Sequence, residues 1–145
     1  MRGMGFLLLC GGASSRMGRC KALLMVNGEP LYLSVARAGR AFTERLLSVN
    51  DPAIPTPEGF ARIPDLVPGC GPIGGLHAAL SVCESPALIV APCDAPFYSE
   101  ALARHLAERF DPAWDALILT DPSGRSHPLL GVYAKSCLPA IARHM

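Results

Sequence analysis

An α/β domain of three layers, a mainly parallel sheet with helices on both faces, is the fold this 145-residue sequence predicts. Three observations carry it. Residues 6–10 and 87–91 are short and apolar throughout, as strands buried on both faces are. The stretches between the strands place apolar residues at helical spacing. Gly11-Gly12, Asn50-Asp51 and Asp94 each follow a strand directly, and in parallel sheets ligands bind beyond the carboxyl ends of the strands.

The elements follow in order. Residues 6–10 form the opening strand, stopped by Gly11-Gly12. After a polar loop, residues 22–26 are apolar again and end at Asn27-Gly28, a turn signal. Apolar residues at 31, 35, 38 and 42 predict a helix over 31–42, with Pro30 suited to its first turn. Residues 45–49 read as the second strand. Pro52, Pro55 and Pro57 mark residues 51–59 as an exposed connection. A short strand at 60–63 leads into the loop 65–71, and Pro72 opens a helix to about residue 83. Residues 87–91 form a buried strand, Ser99 caps a helix carrying Leu102, Leu106 and Phe110, and strands follow at 115–119 and 129–133. Residues 136–145 are a helical end. No repeat or linker interrupts the chain, which reads as one domain over 1–145.

Composition narrows the function. Half the residues are apolar and 17% charged, which suits a packed core of one-domain size. The net charge of +1 offers no cationic field for a nucleic acid backbone. The six cysteines contain no C-x-x-C pair, and only His77 lies near Cys70 or Cys83, so the spacing describes no zinc cage. They read as reduced thiols of a cytoplasmic protein. The apolar run at 6–10 is too short for a signal peptide, and no stretch approaches the ~20 apolar residues of a membrane span.

The loop 11–21 carries most of the chemistry. Gly11, Gly12 and Gly18 let backbone N–H groups approach a ligand and permit positive φ, and successive N–H groups in such a turn form an anion site. Arg16 and Lys21 add the two cations that a polyphosphate requires. Lysine is scarce, two against eleven arginines, and one of the two closes this loop. A P-loop is excluded because five residues separate Gly12 from Gly18 and Arg-Cys-Lys follows. The G-x-G-x-x-G dinucleotide spacing is absent too.

The segment Leu9-Cys10-Gly11-Gly12-x-Ser14-x-Arg16-Met17-Gly18-x-x-Lys21-x-Leu23-Leu24 resembles the signature of nucleotidyltransferases, most closely the molybdenum cofactor guanylyltransferases. Asp65 with Gly71-Pro72-Ile73-Gly74-Gly75, then Pro92-Cys93-Asp94-Ala95-Pro96-Phe97, then His127-Pro128 are similar to the same family in the same order. The resemblance implies a three-layer Rossmann-like nucleotidyltransferase fold. It implies that GTP is held by Leu9, Cys10, Gly11, Gly12, Ala13, Lys21, Asn50, Asp65 and Asp94. Catalysis then falls to Arg16, Lys21 and Asp94, with Asp94 the ligand of Mg²⁺.

The implied reaction is GMP transfer from GTP to the terminal phosphate of molybdopterin, with proteins of molybdoenzyme maturation as further partners. Cys10 stands where the family usually has alanine, Cys20 where an acidic or amide residue commonly precedes the lysine, and the family's C-terminal segment does not follow Met145.

Alternatives stay open on several residues. Asp94 between prolines also suits an Asx-turn acceptor. Asp51 rivals Asn50 and Asp65 as a reader of guanine, and solvated loop polarity would explain Asn50 and Asp65. Gly74 and Gly75 suit either a pocket wall or helix packing, and His127 either the second substrate's phosphate or a plain surface position. Asp121 is a conceivable second metal ligand. A cytidylyl or sugar-phosphate relative, or a domain that binds GTP or the pterin without turnover, would carry much of the same sequence.

Overall fold

The computed structural model describes residues 3–10 and 21–145, with nothing described of the Lys21 side chain. The anion loop therefore lies outside the described residues, including Gly11, Gly12, Ala13, Ser14, Ser15, Arg16 and Gly18. In chain order the strands are β1 (Gly5–Cys10), β2 (Met25–Val26), β3 (Glu29–Pro30), β4 (Arg45–Val49), β5 (Ala61–Ile63), β6 (Ala87–Pro92), β7 (Ala116–Thr120) and β8 (Ser126–Ala134). The helices are α1 (Leu31–Arg37), α2 (Pro72–Val82), α3 (Glu100–Arg109) and α4 (Leu138–Arg143).

Six strands form one sheet in the order β5-β4-β1-β6-β8-β7. The first four pair in parallel, with Leu8 opposite both Leu47 and Ala91. β8 runs antiparallel to β6 and to β7. A parallel crossover needs a dozen or more residues, whereas only five separate β7 from β8, so chain length alone forces a hairpin there.

Period-two alternation along the central strands divides two cores. Phe6, Leu8 and Cys10 of β1 join Ile89 and Ala91 of β6 beneath α1 and α3. Leu7, Leu9, Leu88 and Val90 point the other way, against α2, with Leu138 and Ile141 of α4 beside them. The expected three layers are present, and β1 and β6 are buried along almost their full length.

Three elements differ from the sequence reading. The helix expected over 31–42 ends at Arg37. Beyond it Ala38, Gly39 and Arg40 donate to carbonyls three residues back. Gly39 lies so close to the Phe6 ring that a Cβ there would sit 2.4 Å from Cδ1, and the tightened turn still delivers Phe42 to the core at 1% exposure. Residues 22–26 contribute a short 3₁₀ turn and half of a two-residue hairpin about Asn27-Gly28, both at positive φ. The connection 51–59 is not wholly exposed: Ile54 is fully buried, and Arg62 donates to the carbonyls of Ile54 and Asp51 at 2.7 and 2.9 Å. Ser99 caps α3 as expected, accepting from the Leu102 N–H at 3.1 Å.

Among the described residues, no helix is long and apolar enough to cross a membrane.

Candidate active site

The chain leaves β1 towards β4 and β5 on one side, then returns to place β6 on the other side of β1. The switch point of the sheet is thus the β1–β6 junction, where the loops at the strand ends diverge and open a crevice. The Cys93 N–H donates to the Leu9 carbonyl at 2.9 Å and holds the two strand ends together. Leu9 and Cys10 are buried where β1 enters the anion loop.

Four adjacent strands deliver the other predicted groups to the same edge. Cys10 is in register with Val49, Leu9 with Pro92 and Ser48 with Ile63. Asn50 follows β4 at once, and Asp65 and Asp94 each stand two residues beyond their strand, β5 and β6. From β5 to β6 is three strand spacings, roughly 14 Å, so the row has the breadth of a nucleotide rather than of one ion.

At the β4–β5 end, the Asn50 amide donates to Asp65 Oδ2 at 3.3 Å. The other carboxylate oxygen, Asp65 Oδ1, is buried without a hydrogen-bond partner among the described residues. A buried carboxylate oxygen left so is costly, and a ligand donor would satisfy it. Helix α2 closes this end by means of its glycines. A Cβ at Gly75 would stand 2.3 Å from Ser48 Oγ and 2.8 Å from Leu9 Cδ2, and one at Gly74 only 3.2 Å from Cys70 Cβ. The first turn of α2 therefore rests directly on β1 and β4, with Gly71 before it at φ 63°. Packing requires Gly75 and leaves little room at Gly74, and the same packing walls the space around Asp65.

Asp94 is exposed at the β6 end, and no described group hydrogen-bonds or ion-pairs with it. The Asx-turn alternative fails for a covalent reason. Such a turn accepts from the N–H two residues on, and here that residue is Pro96, which has none. Asp51, Asp111 and Asp121 do make the bond, from Ala53, Ala113 and Ser123 at 2.8, 2.8 and 2.9 Å. Asp51 thus spends one carboxylate oxygen on a turn bond.

His127 and Asp121 pair with each other across the β7–β8 hairpin, Nε2 to Oδ2 at 3.0 Å. Asp121 also accepts from the Ser123 hydroxyl and from the Arg125 N–H, so its oxygens are committed to the hairpin and it is a poor metal ligand. These bonds, with the Ser123 hydroxyl foremost, then His127 and the Arg125 N–H, push its pKa down to about 2 from 3.8. The hairpin's share of stability is fully present above pH 3.8 and is lost as pH falls through 2. Melting curves should therefore fall more steeply from pH 4 to pH 2 for the native protein than for Asp121→Asn; parallel falls would show that this carboxylate is not linked to folding.

A family model described as a MobA-like NTP transferase domain matches residues 6–145. The chain belongs to the MobA-like NTP transferase family. A probable molybdenum cofactor guanylyltransferase of Flavobacterium johnsoniae is 32% identical over 92% of this chain, which spans 70% of that protein. One from Pelotomaculum thermopropionicum is 36% identical over 93% of the chain, which spans 65% of it.

Among solved structures, the molybdopterin-guanine dinucleotide biosynthesis protein A of Archaeoglobus fulgidus superposes with a TM-score of 0.74 at 29% identity. That match covers 97% of this chain and 72% of the other. The sheet with its β1–β6 switch point is thus that of a nucleotidyltransferase fold. Phe97, quoted in the sequence only as part of a motif, stands out at 93% exposure three residues beyond Asp94. The signal available in the sequence was an aromatic residue between a proline and a buried tyrosine, directly after the carboxylate.

Proposed function

We propose that this chain transfers GMP from GTP to the terminal phosphate of molybdopterin, releasing pyrophosphate. The observation that carries the reading is Asp65, whose Oδ2 accepts from Asn50 and whose buried Oδ1 has no partner among the described residues, at one end of a nucleotide-wide row that ends at Asp94, with which no described group bonds. A carboxylate accepts two parallel N–H bonds, and guanine is the base that offers them, from N1 and the exocyclic amine. Cytosine and adenine put an acceptor beside their amine, and uracil flanks its N–H with carbonyls.

The donor set suits Mg²⁺. Among the described residues no group of three metal-binding side chains exists, and Mg²⁺ commonly takes one or two carboxylates and completes its shell with phosphate oxygens and water. Asp94 supplies that carboxylate. An ion held there would neutralise charge on the phosphates.

The chain's own groups do the rest. Asp65 and Asn50 orient the base, the N–H groups of the Gly11, Gly12 and Ala13 loop hold the phosphates, and Leu9 and Cys10 form the floor. As the acceptor's phosphate oxygen bonds to the α-phosphorus and the bond to pyrophosphate breaks, Arg16 and Lys21 offset the charge on the leaving group. No protein nucleophile is required, because positioning and charge neutralisation carry such transfers.

Thermal shifts with GTP, CTP, ATP and UTP, each with and without Mg²⁺, test this reading. GTP with Mg²⁺ at 100 times its Kd should add about 2.7 kcal/mol of stability, and the other nucleotides much less. An equal or larger shift with CTP would reassign the base.

A further inference from the structure

We propose that Phe97 is the stacking platform for the pterin ring of the acceptor, and so the residue that selects an aromatic heterocycle at the second substrate site. This inference rests on the transfer reading above.

Phe97 is the most exposed large apolar side chain among the described residues, 93% against 64% for the next, Met25. A single exposed Phe in a flexible segment would mean little, but this one is fixed from both sides. The Cys93 N–H is bonded to Leu9 and the Ala95 N–H to Pro92, which ties the segment to the end of β6. The Tyr98 N–H then donates to the Ala95 carbonyl at 3.1 Å and closes a turn with Pro96 and Phe97 at its tip. Pro96 sets its own φ. Tyr98 anchors the far side, 6% exposed, with its ring edge-on to Phe6 at 6.2 Å. The chain thus buries one aromatic ring of the pair and holds the other out in water.

Position supplies the occupant. Phe97 is three positions on from Asp94, so their Cα atoms lie within about 11 Å. The sheet order sets the sides of the crevice: Asn50 and Asp65 stand over β4 and β5 on one flank of β1, and the Asp94–Phe97 turn leaves β6 on the other. With the guanine end on the β4–β5 flank, the acceptor's place is the β6 flank. Its phosphate lies at Asp94 and its flat ring within reach of Phe97. Aromatic faces stack on heterocycles without hydrogen-bond readout, which is the task of a platform.

The test is steady-state transfer to molybdopterin by wild type, Phe97→Ala and Phe97→Trp, together with the GTP-induced thermal shift of each. Phe97→Ala should raise the KM for molybdopterin by about tenfold or more, with its GTP shift equal to that of wild type. Phe97→Trp should restore the wild-type KM, because a flat ring is what the role needs. An unchanged KM in Phe97→Ala overturns the proposal, as does a tryptophan variant no better than alanine. If wild type shows no GTP shift, the transfer reading itself fails and this one with it; a normal GTP shift with an unchanged KM removes Phe97 alone.

Discussion

Asp94→Ala should lower guanylyl transfer by about a thousandfold and leave the melting temperature within a degree or two of wild type. Both halves follow from what surrounds the carboxylate. No described group bonds to Asp94, it is exposed, and the proline two residues on denies it a turn bond, so folding loses little when it is removed. The transition state loses its only described carboxylate for Mg²⁺ at the β6 end. Metal stabilisation of phosphate charge is worth several kcal/mol, and about 4 kcal/mol corresponds to three decades of rate. Pyrophosphate release against Mg²⁺ concentration is the measurement. A variant that keeps its rate would move the metal to another ligand, and one that loses rate and stability together would make Asp94 a folding residue.

Asp65→Ala acts on binding and on choice of base. Removing the carboxylate forfeits two charge-assisted bonds to guanine, each worth about 1.5–3 kcal/mol, so the Kd for GTP should rise by at least about 100-fold. The Kd for CTP, which never makes that bond pair, should stay within about threefold, so discrimination between the two nucleotides collapses. Stability should change little or improve, because the variant removes a buried oxygen that lacks a partner among the described residues. Calorimetric titration with both nucleotides decides it. Equal weakening of GTP and CTP would mean that Asp65 shapes the crevice without reading the base.

Much of the site was legible because its residues follow strands at once. The β1, β4 and β6 runs are apolar enough to be recognised, and the polar residue after each is then placed by topology. Asn50 and Asp65 could be named separately, but they are fifteen positions apart, and only the β4–β5 register shows that they touch. The bonds that Asp51, Asp121 and His127 make were hidden from the sequence for the same reason. Whether a carboxylate is spent on a turn depends on which N–H groups the backbone turns toward it. For Asp94 the sequence already held the answer in Pro96, since a missing N–H is a covalent fact.

The sequence by itself determined the layered α/β class, the edge at which ligands gather and the residue types that can bind a nucleoside triphosphate, since burial periodicity and strand-end chemistry are local properties. Only the tertiary structure decided that α1 stops at Arg37, that Gly75 is required by contact, and that Asn50 braces an Asp65 carboxylate whose other oxygen is unmatched among the described residues. Those outcomes depend on which distant backbone or side chain comes to lie opposite, and that is settled by packing.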